Sequence, residues 1–244
     1  MKLSRKRDFF EILMILARPA AGKSEIIKYL HSLPDEERRS KYHIGKMCVL
    51  DDFPMIWTWF EEDDLLTQMG FPRLHTDKNG YFLHKYLWDL LIERLNLEYT
   101  KLKRNSGISD NTIIIEFSRG KEHGGYKSAF SHLSEEIVDN ASILYIDVSW
   151  EESLRKNRKR FNPEKPDSIL EHSLSDEKLT RMYRETNWDE LIAQNKEFMK
   201  IGSKMVPYSI FDNMDDVTTG KNKELDKRLQ ISLNKLWQIY VQNS

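Results

Sequence analysis

The sequence predicts a single α/β domain over residues 1–244, in which a mostly parallel five-stranded sheet carries helices on both faces. Short apolar segments rich in Ile, Leu and Val alternate along the chain with segments of helical periodicity. This alternation is typical of parallel sheets, whose strands are buried on both faces and joined by helices. No internal repeat or low-complexity tract divides the chain.

Five apolar segments are predicted to form the strands. They are Ile12 to Leu16, Met47 to Leu50, Thr112 to Ile115, Ile143 to Val148 and Val206 to Phe211. Near the C-terminus, Leu229, Leu233 and Leu236 recur at helical spacing, which predicts an amphipathic helix packed on the sheet.

Composition and charge argue against several classes of function. The 38 basic and 39 acidic residues leave a net charge of −1, so the overall charge does not attract the chain to nucleic acid or to an anionic membrane. No apolar run approaches the roughly 20 residues that span a bilayer, and the N-terminal segment lacks a signal-peptide core. Cys48 is the single cysteine and cannot form an internal disulfide. We therefore expect a cytoplasmic protein without a membrane partner.

Residues 17–24 fit a phosphate-binding loop, the pattern G-x-x-x-x-G-K-[ST], with Ala17 in place of the first glycine. The first predicted strand precedes this segment, and a helical segment from Ser24 to Leu33 follows it. In that setting the backbone N–H groups of a loop and the N-terminus of a helix converge on phosphate oxygens. Without the first glycine, an ordinary strand–turn–helix corner remains the alternative.

The chemistry of this loop assigns a role to each part of the pattern. Lys23 would reach the β- and γ-phosphates of ATP, the Ser24 hydroxyl would bind Mg²⁺, and Gly22 would let the backbone approach the phosphates. The predicted nucleotide-binding residues are Arg18, Pro19, Ala20, Ala21, Gly22, Lys23 and Ser24.

The third predicted strand ends in a carboxylate, Glu116, which is the candidate to support Mg²⁺ from a neighbouring strand. Arg119 follows it, at the strand end where ligands bind in open α/β sheets. This pairing resembles the strand end of nucleoside and nucleotide kinases, and the resemblance implies a catalytic role for Arg119. A solvated loop arginine is the alternative.

The second strand ends in Asp51-Asp52-Phe53, which places two carboxylates at the same edge of the sheet. The run resembles the Asp-Asp-Phe of uridine-kinase-like and nicotinamide-riboside-kinase-like enzymes. By that resemblance Asp51 would be the general base, and Asp52 would bind substrate or tune its neighbour. Which of the two is the base remains open, and adjacent aspartates also form turns.

Ser149-Trp150-Glu151-Glu152 is a capping box that predicts a helix running to about Arg160. Its basic residues resemble the lid of adenylate-kinase-like and deoxynucleoside-kinase-like folds, here at about residues 153–188. The resemblance implies that Arg155, Arg158 and Arg160 clamp the transferring phosphate. A solvated helix face is the alternative.

Two further sites complete the predicted machinery. Residues 53–105 form a predicted helical insert that binds the acceptor, with Arg73 and His75 in a loop as candidate contacts. Asn213 follows the fifth strand, where similar kinases place the loop that contacts adenine.

These motifs are similar to those of the P-loop nucleoside and nucleotide kinase group, which implies a three-layer fold with a lid and a requirement for ATP and Mg²⁺. The predicted function is a small-molecule kinase whose acceptor is a nucleoside, a nucleotide or a similar hydroxyl- or phosphate-bearing metabolite. The alternative is an ATPase or nucleotide-dependent switch that acts on a protein or nucleic-acid partner. The sequence does not indicate an oligomeric state.

Overall fold

A computed structural model describes residues 7–107, 109–160, 164, 173–220 and 223–242. Six strands form one sheet: β1 Ile12–Ala17, β2 Lys46–Asp51, β3 Asn111–Phe117, β4 Ala141–Asp147, β5 Phe198–Ile201 and β6 Lys204–Asp212. The described helices are α1 Lys23–Ser32, α2 Asp35–Tyr42, α3 Phe53–Gln68, α4 Tyr86–Ser106, α5 Gly125–Ser131, α6 Glu135–Asn140, α7 Trp150–Arg160, α8 Asp176–Tyr183, α9 Trp188–Ile192, α10 Val217–Gly220 and α11 Lys223–Gln242. A short 3-10 turn covers Lys121–His123.

The strand order in the sheet is β2-β3-β1-β4-β6-β5. Its first five strands, β2, β3, β1, β4 and β6, run parallel. These are the five strands that the sequence predicts, so the α/β class and the parallel sheet are confirmed. The count of five is corrected to six, because β5 pairs antiparallel with β6 through a turn at Gly202. β5 has only four residues, of which Met199 and Ile201 are buried. An apolar pattern this short does not identify a strand in the sequence.

Helices cover both faces of the sheet, as the continuous burial of β1 requires. Ile12, Met14 and Leu16 pack into one apolar cluster with α4, α5, α6 and α9, whereas Leu13 and Ile15 pack into another with α1 and α11. Leu229, Leu233 and Leu236 of α11 are fully buried in the second cluster, which confirms the predicted C-terminal helix. The molecule therefore has three layers.

A third apolar cluster lies beyond the carboxyl end of the sheet and joins α3, α4 and α8. Trp59 and Trp88 are its largest members and are buried. Of the predicted insert, residues 53–105, α3 and the start of α4 belong to this cluster, whereas the rest of α4 packs on the face of the sheet. Among the described residues, no helix is both long and apolar enough to cross a membrane.

Candidate functional site

The predicted phosphate-binding loop connects β1 to α1 and is fixed from behind by its carbonyl groups. The Ala17 carbonyl accepts a hydrogen bond from Tyr126 Oη (2.9 Å), and the Ala21 carbonyl accepts one from Asn213 Nδ2 (2.9 Å). Within the described parts of the chain, no hydrogen bond takes the N–H groups of residues 20–24. The loop thus keeps its donors for an anion at the N-terminus of α1.

Two backbone conformations shape the loop. Gly22 has a φ of 110°, and a Cβ there would lie 2.6 Å from Thr218 Oγ1, so the position requires glycine. Ala20 also has a positive φ, of 57°. Ala17 instead lies in β1 in parallel register with Ile146 of β4 and is fully buried. Its extended backbone explains why alanine is tolerated where the pattern has its first glycine.

A cavity of about 380 Å³ opens over the loop. Pro19, Ala20, Ala21, Gly22, Lys23, Ser24, Asp51, Asp52, Glu116, Arg155 and Arg160 are the predicted site residues that line it. The structure thus brings together the loop, the ends of β2 and β3, and part of α7. Arg18, Arg119, Arg158, Asn213 and His75 are absent from this lining.

Glu116 and Asp51 are register partners on adjacent strands and form a carboxylate pair beside Lys23. Glu116 is 7% exposed, and its Oε2 atom has no hydrogen-bond partner among the described residues. Burial and the neighbouring Glu116 carboxylate raise the pKa of Asp51 to about 7, against the opposing charge of Lys23. Lys23 Nζ itself donates to Ser118 Oγ at 2.7 Å.

These residues fit a magnesium ion whose other ligands come from outside the chain. Ser24 and the unpartnered oxygen of Glu116 are hard oxygen donors in one cavity. No cluster of three metal-ligating side chains occurs in the described ranges. The two oxygens of Ser24 and Glu116 suit Mg²⁺, which keeps several waters and is usually bound through one or two protein oxygens together with phosphate oxygens.

Asp52 and Arg119 form a buried ion pair behind this cavity. Arg119 Nη1 lies 2.5 Å from Asp52 Oδ2, and the two side chains are 2% and 4% exposed. Arg119 also donates to the Ser118 and Trp88 carbonyls. Burial raises the pKa of Asp52, and the positive charge of Arg119 opposes that rise. The geometry thus gives Arg119 an internal partner rather than a position on the cavity wall.

The first half of α7 is fixed to the phosphate-binding loop. Ser149 is the N-cap of α7 as predicted, because Ser149 Oγ accepts a hydrogen bond from the Glu152 N–H at 3.0 Å, while the Glu152 carboxylate pairs with Arg155. One turn on, Ser153 Oγ donates to the Pro19 carbonyl at 2.8 Å. This part of the predicted lid, residues 153–188, is therefore bonded to the loop, whereas residues 161–163 and 165–172 lie outside the described residues.

Lys156, Asp216 and Thr218 form a buried network beside the loop that the sequence did not predict. Lys156 Nζ donates to Asp216 Oδ1 (2.7 Å) and Thr218 Oγ1 (2.9 Å), and Thr218 Oγ1 also accepts from Asn213 Nδ2 (3.0 Å). Asn213 is fully buried and supports the loop from behind. The position of Asp216 and Thr218 after a strand end was the available sequence signal.

The three arginines that the sequence groups together take different positions. Arg155 lines the cavity and pairs with Glu152 and Asp216. Arg160 also lines it. Arg158 is bonded instead to Asp176 at the start of α8. Arg18 likewise turns away, donating to the carbonyls of Val148 and Arg184.

Arg73 and His75 lie in a loop organised by the buried carboxylate of Asp63. Although burial raises the pKa of Asp63, hydrogen bonds from Thr76 and from the backbone N–H groups of residues 74–76 lower it to about 2. The His75 ring stacks on Trp59 with centroids 5.1 Å apart. Arg73 donates to Asp64 Oδ1 (2.6 Å) and to Thr76. Both residues thus have internal partners.

A second cavity of about 410 Å³, here called the aromatic cleft, lies beside the phosphate cavity. Phe53, Ile56, Leu174 and Tyr183 line both cavities, so the two are neighbours with a common wall. The cleft lies between α3 and α8, and Arg73 is the predicted substrate residue in its lining. A bound nucleotide and a second small molecule could therefore lie side by side.

No protein-family model matches the chain, and no curated protein matches it. Among solved structures, the chain is similar to an unliganded sugar kinase from Janibacter sp. HTCC2649, at 11% identity over 94% of this chain and 98% of that one, with a TM-score of 0.43. It is similar to Kti12 from Chaetomium thermophilum in complex with ADP-AlF3, at 14% identity over 93% and 97%, with a TM-score of 0.48. It is also similar to TT1252 from Thermus thermophilus, at 15% identity over 96% and 98%, with a TM-score of 0.42. The likeness is distant, so the function is inferred from the chain's own residues.

Proposed function

We propose that this chain is an ATP- and Mg²⁺-dependent phosphotransferase that acts on a small-molecule acceptor. One observation carries the proposal: the unpaired N–H groups and Lys23 of the loop share a cavity with the half-buried carboxylate of Asp51 and the buried carboxylate of Glu116. A phosphate bound by the loop and an acceptor bound beside these carboxylates would meet at one point. That arrangement supports transfer by positioning and charge stabilisation.

The loop and its neighbours have distinct roles in this proposal. Residues 20–24 bind the phosphates through backbone N–H groups, Lys23 offsets their charge, and Ser24 and Glu116 hold Mg²⁺. When bound, Mg²⁺ would neutralise charge that develops on the phosphate oxygens. Arg155 and Arg160 add positive charge at the same cavity, where the transition state spreads negative charge.

Asp51 is the proposed general base, and Asp52 is a positioning residue. Asp51 lines the cavity and has no ion-pair partner among the described residues, so its carboxylate can accept the proton of an attacking hydroxyl. Asp52 is committed to Arg119. The proposed acceptor region is the insert at residues 53–105, because α3 supplies one wall of the aromatic cleft.

Nucleotide binding tests the first half of the proposal. Lys23→Ala should weaken Mg²⁺-ATP binding about 10- to 150-fold, since a hydrogen bond to a charged group contributes about 1.5–3 kcal/mol. Lys227→Ala, at an exposed lysine of α11, is the matched control and should bind as wild type does. Calorimetric titration measures both. Equal ATP affinity in wild type and Lys23→Ala would remove the basis of the proposal.

Acceptor-dependent ADP release tests the second half. Asp51→Asn should bind ATP normally and lose turnover with every acceptor that the wild type uses. Full turnover in Asp51→Asn would exclude that residue as the base. ATP hydrolysis at one rate with and without acceptors would favour an ATPase or switch over a phosphotransferase.

A further inference from the structure

The aromatic cleft has the shape and lining to hold a flat ring. Phe53, Trp57 and Phe60 lie along one side of α3, at helical spacing, and line the cleft. Phe82 and Trp88 line it as well, with their ring centroids 4.7 Å apart. Aromatic walls of this kind bind planar groups through stacking and through burial of apolar surface.

Trp88 offers this wall its ring rather than its polar atom. Its side chain is 3% exposed, and its Nε1 atom is buried without a partner among the described residues. An atom with almost no accessible surface is out of reach of a ligand in the cleft, so the contribution of Trp88 to binding is apolar contact with a flat ring.

Among the described residues, the wall shared by the two cavities carries no positive charge. The four residues that line both are Phe53, Ile56, Leu174 and Tyr183. Arg119, a buried cation behind them, is paired with Asp52, and the carboxyl group of Asp51 on the phosphate-cavity side would repel an anion. The basic residues of the phosphate cavity are those proposed to bind the phosphates of ATP. A hydroxyl acceptor therefore suits this wall better than a phosphate, which would need a positive charge of its own.

The other end of the cleft is different, because it holds two available lysines. Lys78 and Lys178 line the cleft but not the phosphate cavity, and neither forms an ion pair within the described ranges. The Lys178 ammonium group lies against the backbone at Gly80: a Cβ added to this glycine would be only 2.8 Å from Lys178 Nζ. The charged residues of the lining are Glu61, Asp64, Arg73, Lys78 and Lys178, and Arg73 pairs with Asp64. With three basic and two acidic residues, the lining of the cleft has a net positive charge.

From these features we propose that the acceptor is an alcohol borne on a flat ring whose opposite end carries a negative charge. This inference rests on the proposed phosphotransferase function and specifies its substrate class. The acceptor hydroxyl oxygen would form a bond to the γ-phosphorus of ATP as the bond from that phosphorus to the β,γ-bridging oxygen breaks. ADP leaves with that bridging oxygen, and the hydroxyl proton passes to the carboxylate base.

Equilibrium binding of three related probes tests the inference without turnover. Uridine offers a ring and a hydroxyl, 5-carboxyuridine adds a carboxylate on the far edge of the ring, and uridine 5′-monophosphate replaces the hydroxyl end with a phosphate. Quenching of tryptophan fluorescence, in the presence of Mg²⁺-ADP, reports each affinity. We expect 5-carboxyuridine to bind about 3- to 10-fold more tightly than uridine, and the monophosphate to bind more weakly than either. Tighter binding of the monophosphate than of uridine would overturn the proposal.

Variants assign each end of the ligand to its residues. Lys178→Gln should remove the preference for 5-carboxyuridine over uridine, whereas Lys235→Gln, at an exposed lysine of α11, should keep it. Trp57→Ala should weaken all flat-ring probes about 5- to 10-fold, and Trp57→Phe should retain most of the affinity because a ring remains. An equal loss for both nucleosides in Lys178→Gln would refute the charged end of the proposal.

Failure of this inference can be told apart from failure of the proposed function. If Lys23→Ala weakens ATP binding as expected, and a ring-free sugar or polyol supports acceptor-dependent ADP release by the wild type while flat-ring alcohols do not, the substrate class is wrong and the function stands. If ATP affinity does not depend on Lys23, the proposed function itself fails.

Discussion

Replacing Arg119 with methionine should destabilise the protein far more than removing an exposed arginine would. Arg119 is 2% exposed and bonds Asp52 at 2.5 Å, the Ser118 carbonyl at 2.8 Å and the Trp88 carbonyl at 3.3 Å. Its guanidinium also lies 5.2 Å from the ring centroids of Trp88 and Phe117. Methionine keeps the apolar contacts of the stem and loses all of these polar contacts.

The magnitude follows from what the substitution leaves behind. Asp52 is buried, and without Arg119 its carboxylate loses its ion-pair partner and keeps only the more distant charge of Lys23. Breaking one side of a buried ion pair costs about 3–5 kcal/mol of unfolding free energy. Replacing both partners by neutral side chains removes the uncompensated charge, so Asp52→Asn with Arg119→Met should recover about half of that loss or more.

Urea unfolding of the four proteins in this double-mutant cycle measures the interaction. Arg155→Met is the matched control, because the Arg155 side chain is half exposed and Asp216 keeps Lys156 as a partner without it; its cost should be much smaller. A loss below about 1 kcal/mol in Arg119→Met, or a double variant no more stable than Arg119→Met, would refute the buried-pair account.

Three other predictions concern backbone fit and titration. Gly22→Ala should lower both stability and ATP affinity, because it combines a φ of 110° with a contact of 2.6 Å to Thr218 Oγ1; calorimetry and ATP titration check this, and wild-type ATP affinity would contradict it. Gly120→Ala should cost about 3 kcal/mol or more in urea unfolding, since its Cβ would lie 1.5 Å from the Met182 carbonyl oxygen and two backbone segments would have to separate. His123, stacked on Trp88, should make the protein less stable as the pH falls from about 6.5 towards 4. Burial lowers its pKa to about 4 from the ordinary 6.5, so in this pH range the unfolded chain binds a proton that the folded chain does not bind, and stability falls. Unfolding of wild type and His123→Phe at pH 7 and pH 4.5 measures this difference, and equal losses in the two proteins would contradict it.

Much of the fold could be predicted from the sequence because its signals are local. Ile12 to Leu16 and Thr112 to Ile115 are continuous apolar runs, which is how strands buried on both faces look in any parallel sheet. The N-cap at Ser149 fixed the start of α7 in the same way, through contacts within four residues. β5 was not predicted, because its four residues form a strand through pairing with β6 and not through a local sequence pattern.

In the candidate site too, the sequence indicated local patterns but not the contacts between residues that are distant along the chain. The sequence grouped Arg155 and Arg158 because they are three residues apart on one helix, but the distant carboxylates of Asp216 and Asp176 draw their side chains to different partners. Arg73, predicted to contact the substrate, lines the aromatic cleft and also donates to Asp64 and Thr76, which the sequence did not indicate. Partners from other parts of the chain are not visible in a local pattern.

The sequence by itself determined the class of fold and the position of the phosphate-binding loop, because strand, turn and helix propensities depend on neighbouring residues. The tertiary structure alone decided which charges remain available. It pairs Asp52 with Arg119 and Lys156 with Asp216, and it leaves Glu116 Oε2 without a partner in the described part of the chain. The physical reason is desolvation: a buried charge must find its partner in space, whatever the distance along the sequence.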